Sequence, residues 1–103
     1  MRVRRLGKSY AHPLLVLVML PNETESTRFA VSAGRSVGNA VQRNRAKRLI
    51  RAALHLLVSV IVPGWDIILI ARRPLASATF AQTQSALQQL LQRARLIESV
   101  HAS

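Results

Sequence analysis

Two periods of hydrophobic patterning alternate along this chain. Leu14 to Leu20 is an unbroken apolar run between Pro13 and Pro21, with the length and β-favouring composition of a buried strand. "RFAVSA", residues 28–33, alternates and predicts a second strand. The polar turn "PNETES", residues 21–26, predicts that these two strands form a hairpin with a loop of about seven residues. "GRSVGN", residues 34–39, carries two glycines and ends in Asn39, a residue suited to an N-cap. Helical periodicity follows from about residue 40 to 59, and Pro63-Gly64 closes it. "WDIILIARR", residues 65–73, is too continuously apolar for a solvent-facing strand and predicts an inner one, ended by Pro74. Over residues 79–97, Phe80, Thr83, Leu87, Leu90, Leu91 and Ala94 recur at helical spacing. Residues 1–12 are basic and read as irregular. The order strand, strand, helix, strand, helix predicts one α+β domain over residues 1–103, an α/β sandwich with a small mixed sheet and packed helices.

Composition narrows the class. With 103 residues, half of them hydrophobic, the chain suits one domain with a thin core. The only aromatic residues are Tyr10, Phe29, Trp65 and Phe80, so aliphatic side chains must supply most of the packing. There is no cysteine, which excludes disulfides and thiolate metal sites and fits a cytoplasmic protein. The basic start before Leu14–Leu20 resembles a short secretory signal, but Pro13 opens the run and no small-x-small cleavage site follows it. The second apolar run, Ala52 to Val62, is shorter than the ~20 residues a membrane span needs.

The charge balance is strongly one-sided. Fifteen Lys and Arg face four acids, giving a formal net charge of +11. Such an excess repels itself in the compact state and attracts polyanions. The acids are Glu23, Glu25, Asp66 and Glu98, so none lies within the first predicted helix. Spacing residues at 100° puts Ala46, Leu49, Ile50, Ala53 and Leu57 on one face of that helix, a stripe suited to lying on a sheet. Asn44, Lys47, Arg48, Arg51 and His55 fall on the opposite side, and Arg43 and Arg45 flank Asn44. Lys47–Arg51 and Arg48–Arg51 are like-charge neighbours, each destabilising by ~0.2–0.5 kcal/mol. Arg43 and Arg45 also oppose the helix dipole. A merely solvated face would more often carry Glu at some of these positions. A membrane surface is a poor fit, because no Trp or Phe lies on the apolar stripe. Nucleic acid fits better: arginines on one ridge suit phosphates, and Asn44 can reach a base edge or a 2′-hydroxyl. The scarcity of aromatics argues against a stacking platform and for a folded, phosphate-rich surface.

"GNAVQRNRAKRLIR", residues 38–51, resembles the signature of the protein subunit of bacterial ribonuclease P, in which such a helix docks on the catalytic RNA. The flanking "RFAVSAGRSVGNAV", residues 28–41, and "WDIILIARRP", residues 65–74, are similar to the family's strand and loop before the motif and its strand ending after it. Phe80 and Leu87 fall where the family's last helix packs. The resemblance implies a left-handed β-α-β crossover, against the right-handed default for parallel connections. It implies that Arg43, Asn44, Arg45, Lys47, Arg48 and Arg51 dock the catalytic RNA, with Arg35 and Ser36 adding contacts from the adjacent loop. It implies that the RNA performs a Mg2+-dependent hydrolysis freeing the mature 5′ end of tRNA. The Mg2+ would be bound mainly by the RNA, and the protein would supply no catalytic side chain. The partners implied are the catalytic RNA and precursor tRNA, with no membrane and no DNA. Family members usually begin with a short further helix, one wall of a cleft for the 5′ leader, for which this sequence shows no match, and Val18 stands near a position where an aromatic is common. No His/Asp/Glu cluster offers a protein active site; His12, His55 and His101 are scattered. Arg28, Arg72 and Arg73 are either further RNA contacts or ordinary surface arginines. The rival from another class is a general structured-RNA-binding or ribosome-associated protein with no processing role.

Overall fold

The computed structural model describes residues 7–98. The apolar run after Pro13 forms a strand at Leu15–Pro21 (β2), preceded by a short strand at Lys8–Ala11 (β1). The alternating segment forms β3, Arg28–Ser32, and the continuous apolar segment forms β4, Trp65–Ala71. The strands make one sheet in the order β1-β2-β4-β3. β2 pairs antiparallel with β1 and with β4, while β3 and β4 run parallel. The predicted hairpin of the second and third strands is therefore wrong, because β4 lies between them. β4 is apolar on both faces, so it gains most in the interior of the sheet, and it displaces the pairing that sequence proximity favoured. The segment read as irregular likewise holds the edge strand β1, whose sequence KSYA carries little strand signal.

Two helices cover one face of this sheet. Helix α1, Ala40–Leu57, lies against β3 and β4, and helix α2, Phe80–Arg93, lies against β1 and β2. Both begin with a reciprocal capping box. Asn39 accepts a hydrogen bond from the Gln42 backbone N–H while Gln42 accepts from that of Asn39; Thr79 and Gln82 repeat the exchange. Short 3₁₀ turns at Arg35–Val37, Val58–Val60 and Arg73–Ser77 make the connections. Leu15, Leu17, Ile67 and Leu69 from the sheet meet Ile50, Leu87, Leu90 and Leu91 from the helices, all fully buried. Ala46, Ile50 and Ala53 occupy the predicted stripe of α1, but Leu54 is buried while Leu49 and Leu57 are only partly so. Phe80, expected to pack, is exposed at the first turn of α2. Among the described residues no helix lies on the opposite sheet face, and Val16, Val18, Leu20, Ile68 and Ile70 lie on it, each half-buried. His101 lies outside the described residues.

Candidate nucleic-acid interface

The start of α1 is built around Gly38. Its φ of 144° suits glycine, and a Cβ there would collide with Oε1 of Gln42. The sharp turn brings the 3₁₀ turn with Arg35 and Ser36 alongside the first turn of the helix. The same turn packs against the one at Arg73–Ser77, and Ser36 shares a groove with His12, Arg72 and Arg73.

The basic residues of α1 divide into two groups. Arg43 and Arg45 turn inward. Arg43 Nη1 donates to the Gly38 carbonyl at 2.9 Å, holding the loop against the helix. Arg45 donates from Nη1 to Ala76 O at 2.7 Å and from Nη2 to Ala78 O at 3.0 Å, tying α1 to the segment that launches α2. By contrast, Asn44, Arg48 and Arg51 are exposed, Lys47 is partly so, and their side chains make no hydrogen bond or ion pair with another described residue. Arg35 and Ser36 are exposed and equally free of described partners. His55 continues the outer face one turn further on.

Electrostatics sharpens the division. Among the described residues the one salt bridge joins Arg28 to Asp66, where Nε and Nη2 reach the two carboxylate oxygens at 2.8 Å each. The Arg28 hydrogen bonds, helped by one from Asn22 Nδ2, hold the Asp66 carboxyl below its ordinary range, and Asp66 in turn raises the Arg28 guanidinium. Arg28 is thus committed to protein, as is Arg72, whose Nη1 donates to His12 O at 3.3 Å. No acid relieves the ridge on α1, so its positive potential is open to solvent and to a polyanion. Sequence spacing placed the ridge correctly but missed the inward turn of Arg43 and Arg45, since a helical wheel does not show which carbonyls lie across the gap.

An acid-free cationic helix beside a loop carrying Arg35 is a surface suited to a polyanion. Comparison with known proteins identifies the family. The ribonuclease P family model matches residues 1–95. The ribonuclease P protein component of Herpetosiphon aurantiacus is 43% identical over 95 residues, spanning 92% of this chain and 77% of that one. That of Roseiflexus sp. is also 43% identical, over 95% of this chain and 81% of its own. The Staphylococcus aureus RNase P protein structure superimposes with a TM-score of 0.81 at 35% identity, covering 94% of this chain and 89% of that chain. The chain belongs to the ribonuclease P protein family. It is the protein component of a ribonucleoprotein endoribonuclease and assists, with the RNA, the removal of 5′ leaders from precursor tRNA.

Proposed function

We propose that the outer face of α1 is the surface by which this subunit docks on the catalytic RNA, with Asn44, Lys47, Arg48 and Arg51 in direct contact. Arg35 and Ser36 extend the contact from the adjacent turn. The observation that carries this reading is the group of unpartnered cations on a helix with no acid nearby. Arg43 and Arg45 serve the same interface at one remove: their bonds to Gly38, Ala76 and Ala78 fix the loop and the helix on which the contacts ride.

Precursor tRNA is proposed as a direct partner at the sheet face on which no described helix lies, where Val16, Val18, Leu20, Ile68 and Ile70 form an aliphatic floor. No aromatic ring lies on that floor, so it supplies shape and dryness rather than stacking. The β3-α1-β4 connection is assigned the left hand that the family resemblance implies.

Mg2+ is proposed to be held mainly by the RNA. Asp66 is engaged by Arg28 and Asn22, and among the described residues no group of three or more His, Cys, Asp or Glu side chains could hold an ion. The protein's share of catalysis is then electrostatic. Cations docked on RNA offset part of its self-repulsion, so the RNA needs less bulk Mg2+ to hold its folded form. The working compartment is proposed to be the cytoplasm, where its RNA partners are made; no helix of the described residues is long and apolar enough to cross a membrane.

The test is reconstitution with the catalytic RNA and a precursor tRNA, at Mg2+ low enough that RNA alone is nearly silent. Wild-type protein restores cleavage, and the Arg48→Ala/Arg51→Ala double variant does not. Full rescue by the double variant would remove the outer face of α1 from the docking surface. Equal affinity for unrelated structured RNAs would instead favour a general RNA-binding role.

A further inference from the structure

At the end of α2 the helix layer stops short of one corner of the sheet. Lys8 and Tyr10 of β1, Met19 of β2 and Trp65 of β4 share the helix-side face there, and Arg93 and Arg95 turn over them to bound a cavity of about 500 Å³. No acid lines it. The corner lies by β1, on the sheet edge opposite β3, so α1 and its ridge belong to the other side of the molecule.

The cavity is organised before any ligand arrives. Arg93 Nη1 donates to Ala11 O at 2.8 Å, which holds its guanidinium 5.8 Å from the Tyr10 ring centroid, within cation–π range. Arg95 closes α2 through paired bonds, from Arg95 N to Gln92 O and from Leu96 N to Leu91 O, the motif in which glycine usually fills the left-handed position. Arg95 fills it here at φ 60°, a conformation that disfavours any residue with a Cβ. Compensation of the helix dipole accounts for positive charge at this end of α2. It does not account for Lys8 on a separate strand, nor for two aromatic rings in the same concavity.

Cations interleaved with aromatic rings are the means by which proteins hold single-stranded nucleic acid, the base stacking on a ring and the phosphate meeting the charge. A cavity of this volume falls within the range of small-ligand sites and suits one nucleotide unit. We propose that this corner is a second RNA site, separate from the α1 ridge, which takes a nucleotide of an unpaired RNA segment. Lys8 and Arg95 meet its phosphates and the ring of Tyr10 or Trp65 takes its base.

Trp65 is the only tryptophan in the chain, so its fluorescence reports on this corner directly. The 103-residue protein is titrated with a uridylate pentamer and, separately, with inorganic phosphate. The pentamer quenches Trp65 saturably, with a log K against log salt slope of about −1.4 for two single-strand phosphate contacts. Arg95→Gly relieves the left-handed backbone and raises the melting temperature, yet weakens the pentamer about fivefold at 0.1 M salt and flattens the slope by about 0.7. Arg48→Gln on the ridge leaves the quench unchanged. The proposal fails if the pentamer produces no quench, if Arg95→Gly binds it as tightly as wild type, or if Arg48→Gln abolishes the signal. Quenching by inorganic phosphate at matching affinity would also overturn it, reducing the corner to a plain anion site.

Discussion

Helices α1 and α2 are built alike on their inner sides and differ on their outer ones. Each opens with a capping box, each lacks an acid in its first turn, and each buries an aliphatic stripe against the same sheet. The exposed polar positions of α2 include the amides and hydroxyl of Gln82, Ser85 and Gln89, with a single charge, Arg93, in its last turn, whereas those of α1 include Asn44, Arg48, Arg51 and His55. α2 therefore serves as an internal control. It shows that in this fold a helix folds and stays wetted with a single charge, at its last turn. The outward cations of α1, Lys47, Arg48 and Arg51, are not required by the architecture, and by their mutual repulsion they work against it.

Making the outer face of α1 resemble that of α2 should have the largest effect. Changing Lys47, Arg48 and Arg51 together to Gln should cost about 100-fold or more in affinity for the catalytic RNA at 0.1 M salt, and flatten the salt slope by about 2 to 2.7. Thermal stability should hold or rise, because like-charge neighbours are removed. Filter binding over a salt series, with a melting curve, checks both. A lowered melting temperature with an unchanged slope would mean that the ridge is structural after all.

Next in size is Arg45→Ala. It removes two charge-assisted bonds to Ala76 and Ala78, a loss of about 1–3 kcal/mol in unfolding free energy, read by urea denaturation. The salt slope should stay nearly constant, in contrast to Arg48→Ala, which flattens it by about one unit. A full unit lost on Arg45→Ala would place Arg45 among the phosphate contacts instead. Gly38→Ala should also cost about 1–3 kcal/mol, since alanine strains both the left-handed turn and the Gln42 capping bond. The smallest effect concerns acid. The Asp66 carboxyl is held below its ordinary range, so the native state keeps it ionised where the unfolded chain takes up a proton. Its contribution is fully present above an unfolded pKa of about 4 and is lost as pH falls through the lower native value. Asp66→Asn should flatten the acid limb of a stability-against-pH curve and leave neutral RNA binding untouched.

What could be read from the sequence followed the range of the interactions involved. Asn39 and the 3.6-residue period located α1 within two residues at its end, and the acid-free basic run identified its outer face, because both signals lie within one helix. β4 was recognised as an inner strand from its continuous apolar character. Strand pairing was misread because hairpins are the local default, whereas β3 finds its partner some 38 positions along, with Arg28 opposite Asp66. β1 went unseen since KSYA owes its strand state to β2 beside it. Arg43 and Arg45 matched the family signature by residue type. Their inward turn depends on carbonyls at Gly38, Ala76 and Ala78, the latter two more than 30 residues away.

The central place of β4 has a consequence for the order in which the molecule can be assembled. During synthesis from the N-terminus, α1 is complete before Trp65 is added, yet β3 has no strand partner and β2 only the short β1 until β4 arrives. Both sides of the sheet are therefore closed by one late insertion, a non-local step of the kind that slows folding. Throughout that interval the nascent chain displays eleven of its fifteen Lys and Arg residues without a finished core beneath them. Polyanions that bind only the closed sheet would draw this step forward by mass action.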